Sequence, residues 1–163
     1  MQKTLLISGF MSLIGVGLIP GNEDEYCIPI EIEEYQVKTI DKEIHANRLI
    51  EALIQVESGG KEDCVGDKHL IIPSIGVLQI RPIMVREVNR ILKMQGKDKR
   101  YKNKDRYSRV KSIEMFIIWR DYHHKDDSDE VVSRCWNGGP KGYKRKKTLH
   151  YWDKVQKAFK KIA

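Results

Sequence analysis

The stretch LIEALIQVESGG, residues 49–60, constrains the fold more than any other. Ile44, Leu49, Ile50, Leu53, Ile54 and Val56 recur at three- and four-residue spacing, the period of one helix face. The pattern predicts a helix from Lys42 to Glu57, stopped by Gly59 and Gly60. Glu57 lies four residues after Leu53 and eight after Leu49, which puts it close to the buried side of that helix. Burial disfavours the charged form of a carboxyl, so an acid at this address holds its proton nearer to neutral pH. The plainer alternative is an acid that ends a helix near solvent, paired with a neighbouring cation. The stretch taken alone favours this plainer reading.

The rest of the chain continues the helical pattern. Pro82 can start a second helix with Met84, Val85, Val88, Ile91 and Leu92 inward and Gly96 near its end. The segment VKSIEMFIIWRDYHH is apolar almost all round, which predicts a central helix. Ser128 can cap a fourth helix through Val131, Val132 and Cys135 that stops at WNGGP. Thr148 can cap a fifth, with Trp152, Val155, Phe159 and Ile162 on one face. Strand signals are few, so a mainly α domain is expected over residues 44–163. The basic runs Lys97–Arg109 and Lys141–Lys147 read as solvated loops, or as surfaces that attract an anionic polymer.

Ahead of that domain, Lys3 precedes an apolar run from Leu5 to Ile19 closed by Pro20-Gly21. Residues 1–20 thus have the shape of a signal peptide, and the run is short for a membrane span of roughly 20 residues. Residues 21–43 form an acid-rich linker. The net charge of +7 becomes +6 without residues 1–20, which carry one lysine and no acid. Such a balance favours anionic partners, among them the carboxylate-bearing cell wall, and export weighs against nucleic acid. Three cysteines, Cys27, Cys64 and Cys135, leave at least one thiol unpaired; free thiols at Cys64 and Cys135 are expected over a disulfide. His123-His124 with Asp126 and Asp127 reads as a solvated helix end, not a metal site.

Four segments then occur in order: VESGG, SIGVLQIRP, RCWNGGP and TLHYWDKV. Together they resemble the lytic transglycosylase domain of the lysozyme-like superfamily, some phage-encoded members in particular. The resemblance implies a lysozyme-like single domain in which Glu57 is the one catalytic acid/base and Ser58 helps to orient it. Gly76 to Ile80 would line the cleft, with Gln79 bonding substrate. Asn137 and Gly138, followed by Gly139, would meet the sugar, and Tyr151 would lie near its N-acetyl group. Two departures stand out: Val77-Leu78 replaces the usual Leu-Met, and Trp136 replaces a tyrosine.

The activity so implied is cleavage of peptidoglycan glycan strands between N-acetylmuramic acid and N-acetylglucosamine. Glu57 would protonate the bridging oxygen and then take the proton of the muramoyl 6-hydroxyl, giving a 1,6-anhydro end. Neither metal nor cofactor is called for. The expected partner is the glycan strand, with no nucleic acid, with membrane contact only through an uncleaved leader, and with the protein monomeric. The expected location is the periplasm or envelope, or a phage particle. Two other readings stay open: a lysozyme that uses water and a loop acid (Glu62, Asp63 or Asp67), and a non-catalytic wall-binding protein.

Overall fold

The computed structural model describes residues 45–162, and within them the chain is mainly α. The signal-peptide and linker expectations, with Cys27 and Ile44, lie outside the described residues. Helix α1 covers 45–57, followed by α2 (Pro82–Met94), α3 (Arg109–His123), α4 (Asp129–Gly138) and α5 (Leu149–Ile162). Short 3-10 turns at Asn103–Tyr107, Gly142–Lys144 and Lys146–Thr148 join them. Extended pairing among the described residues is limited to isolated bridges, Val65 with Ile75 and Ile75 with Ile80.

One apolar core gathers a face from every helix. Leu49, Ala52, Leu53 and Ile54 of α1 meet Val85, Val88 and Leu92 of α2 and Met115 and Phe116 of α3. Each such aliphatic or aromatic side chain contributes about 1.5–3 kcal/mol on full burial. Between Ser112 and Arg120 no residue of α3 is exposed, as its all-round apolar pattern anticipates. Phe116, Trp119 and Trp136 form an aromatic cluster with centroids 5.0–5.9 Å apart. Ser108 and Ser128 cap α3 and α4 by accepting from Lys111 and Val131 N–H.

Two local expectations need correction. Thr148 does not spend its hydroxyl on the start of α5; it is fully buried, 2.7 Å from the carbonyls of Gly142 and Arg145, and accepts from the Arg134 guanidinium. It therefore staples the turns that precede α5 to α4. The run Lys97–Arg109 is not a free solvated loop. Tyr101 is buried, with its backbone paired to the Asn89 amide at 2.8 and 2.9 Å and its hydroxyl donating to Glu114. Arg106 is also buried, its guanidinium donating to the carbonyls of Asn103, Pro73 and Ile80, the last of which also accepts from Ile75 N–H. Cys64 and Cys135 are both free thiols, Cys135 buried and Cys64 half-buried.

Candidate functional site

Glu57 is the last residue of α1 and half-buried. Its Oε1 accepts a 2.7 Å hydrogen bond from the hydroxyl of Tyr151. The two residues come together across 94 positions because α5 packs with Tyr151, Val155 and Ala158 inward. That face is turned slightly from the expected one: Val155 is on it, while Trp152 and Phe159 are half-buried and Ile162 is exposed. The turn brings Tyr151 from a flank into the core edge.

Burial pushes the Glu57 carboxyl up from 4.5 to about 7. The Tyr151 hydrogen bond opposes that shift, the charge of Asp67 adds to it, and Lys154 opposes it more weakly. Burial and the adjacent carboxyl also hold the Tyr151 hydroxyl well above its ordinary range, so it remains a donor. Near neutral pH, then, Glu57 exists partly as a neutral acid that both donates and accepts. Of these two charges, Asp67 is one of the three loop acids the sequence offered, whereas Lys154 was not singled out as a site residue. Lys154 had a signal available, since it lies one helical turn after Tyr151.

The end of α1 is fixed from below. Ser58 donates to the Val77 carbonyl at 2.9 Å and accepts from Gly60 N–H at 3.1 Å. Val77 and Leu78 are core residues with no exposure. Gly76 donates its N–H to the Cys64 carbonyl at 2.8 Å. Its φ of 80° and its close approach to the Arg106 carbonyl leave no room for a Cβ. Gln79 has a φ of 47°, uncommon outside glycine. Its amide oxygen accepts from Ser74, and its nitrogen donates to the carbonyls of Cys64 and Gly76. Ser58, Gly76 and Gln79 are thus brought together as one knot beneath Glu57, and the Gln79 amide is engaged with the chain itself.

Asn137 and Gly138 lie elsewhere, in the last turn of α4. Asn137 is exposed and its amide bonds to nothing among the described residues, while Gly138 abuts the Thr148 methyl. No hydrogen bond connects either to Glu57 among those residues. His123 and His124 pair with Glu87 and Asp127 at 2.7 Å each. Among the described residues no group of three or more metal-binding side chains occurs, and no helix is long and apolar enough to cross a membrane.

No protein-family model matches the chain, and no curated protein does. Solved structures do. A chain in crystals of Aeromonas hydrophila PliI in complex with Meretrix lusoria lysozyme superposes with a TM-score of 0.56 at 21% identity, over 68% of this chain and 87% of that one. Inhibitor-bound lysozyme from Meretrix lusoria gives a TM-score of 0.55 at 21% identity over the same shares. At that identity the likeness is one of fold. It corrects the enzyme assignment that the motifs implied: both neighbours come from complexes of a lysozyme with its inhibitor, neither is a lytic transglycosylase, and the assignment of this chain as a glycan-cleaving enzyme is withdrawn.

Proposed function

We propose that the chain is an exported envelope protein that holds cell-wall glycan at the Glu57–Tyr151 pair without cutting it. In this reading residues 1–20 direct export, 21–43 form a linker and 44–163 carry the glycan-holding domain. One observation carries the reading: a half-buried carboxyl, shifted to about 7, with a phenol bonded to it at 2.7 Å. Sugar hydroxyls and N-acetyl groups each need both donors and acceptors, and a partly protonated carboxyl beside a neutral phenol offers both in fixed directions. Binding draws on the donor and acceptor that this pair supplies. Cleavage would further require a bound glycosidic oxygen aligned with the carboxyl. The knot of Ser58, Gly76 and Gln79 sets the height of the pair, and Asn137 with Gly138 offers a second, exposed contact for a longer strand.

Sedimentation with purified sacculi, together with mass spectrometry of the supernatant, tests this. Wild-type protein is expected to co-sediment and release no fragments, and Tyr151→Phe is expected to co-sediment less. Soluble fragments with reducing or anhydro ends would overturn the non-catalytic reading, and absence of co-sedimentation would overturn the glycan reading.

A further inference from the structure

A second feature adjoins the pair. Lys154, Lys157 and Lys161 recur at three- and four-residue spacing along α5, and all three line a cleft of ≈ 270 Å³ against α1. Val56 and Ala158 give the cleft an apolar floor, and Gln55 gives it an amide. None of the three lysines forms an ion pair among the described residues, as is true of most lysines of the domain. Lys161 lies in the last turn of α5, where the helix dipole favours a cation, whereas Lys154 and Lys157 repel each other one turn apart. Lys154 also ties the cleft to the site, since its charge is felt at the Glu57 carboxyl.

We propose that the α1–α5 cleft is a subsite for an acidic peptide, the carboxylate-bearing stem that hangs from a cell-wall glycan strand. The lining matches the chemistry of such a stem. Ammonium groups meet its carboxylates, the Gln55 amide meets its backbone, and the Val56–Ala158 floor takes its short alkyl side chains. Because the ammonium groups are solvent-facing, the attraction is screened and falls as salt rises. This assignment rests on the glycan reading for the source of the peptide, while the cleft itself can be tested without glycan.

Isothermal titration separates the two. The ligands are a free alanyl-glutamyl stem tetrapeptide, the same peptide with its carboxylates amidated, and neutral chitotetraose; the proteins are the wild type and Lys157→Gln/Lys161→Gln. The free-acid peptide is expected to bind at low salt and to lose roughly tenfold on amidation or in the double variant, the size of two exposed ion pairs. Chitotetraose affinity is expected to be the same in both proteins. Equal peptide affinity in wild type and variant, or equal affinity for the amidated peptide, would overturn the subsite. Displacement of the peptide by an equal concentration of inorganic phosphate would do so too, by reducing the cleft to an unselective anion patch. If the peptide binds and chitotetraose does not, the glycan reading falls and the cleft assignment stands; if chitotetraose alone binds, the reverse holds.

Discussion

Ser58, Ser74 and Gln79, beneath Glu57, direct their polar atoms into the chain, whereas Asn137 at the end of α4 leaves its amide to solvent. Both regions stand out as motifs in the sequence, yet they are built for different tasks. In the knot, a positive φ at Gln79, a glycine with no room for a side chain and a buried guanidinium all serve to hold the segment 73–80 under the end of α1. At Asn137 nothing is held. Substitutions in the knot should therefore register as stability, and substitutions at the α4 end as ligand affinity alone.

The strongest way to break this contrast is Arg106→Ala. It removes the charged donor shared by the Pro73 and Ile80 carbonyls at 3.1 and 3.0 Å, leaving the Ile80 carbonyl with only the Ile75 N–H. A loss of about 3–5 kcal/mol is expected, seen as a lower urea midpoint at unchanged slope. A lesser effect of opposite sign is expected from Glu57→Gln. The folded-state pKa of Glu57 is raised from 4.5 to about 7, so the folded protein binds the proton more tightly than the unfolded chain. The stability this gives is fully present below pH 4.5 and is lost as pH rises through 7. Above pH 7 the buried charge costs roughly 3 kcal/mol, so Glu57→Gln should be more stable than wild type there, with the advantage vanishing in acid. A thermal melt series across pH checks both limbs.

Gln79→Ala sharpens the comparison at smaller scale. Three hydrogen bonds are lost and the positive φ remains, for a cost of about 2 kcal/mol in the same urea assay. Asn137→Ala lies at the other end, with a stability change within about 0.5 kcal/mol. Any effect it has should appear only in binding to sacculi. A knot variant that leaves stability intact, or an Asn137 variant that unfolds the domain, would erase the distinction.

The helices were legible because their apolar residues recur at a period that only a helix satisfies, and the cap Ser128 marks a local start. Ser108 lay unnoticed inside a basic run, and that run shows why legibility stops. Arg106 and Tyr101 are indistinguishable by composition from solvated neighbours such as Lys102, and only the Pro73 and Ile80 carbonyls and the Asn89 amide brought near by the fold bury them. The same limit applies at the site. Glu57 was conspicuous, since a carboxyl on an apolar face is anomalous from spacing alone. Its bond to Tyr151 depends on how α5 rotates against α1, which single-helix periodicity placed a fraction of a turn away. Gln79 looked like a free amide because nothing local reveals that the carbonyls of Cys64 and Gly76 converge on it. Chemistry was also over-extended: an ordered set of motifs implied a reaction, and the solved neighbours share the fold without supplying that reaction.

In the proposed function it is the Glu57 carboxyl, held near neutrality beside Tyr151, that reads the glycan. The most direct test is NMR observation of the Glu57 side-chain carboxyl carbon, titrated with pH in the absence and presence of chitotetraose. A midpoint of about 7 is expected for the free protein, and a higher one with glycan bound, because the ligand excludes water from the carboxylate and so disfavours its charged form. A midpoint near 4.5, or a curve that saturating glycan leaves unmoved, would contradict that role.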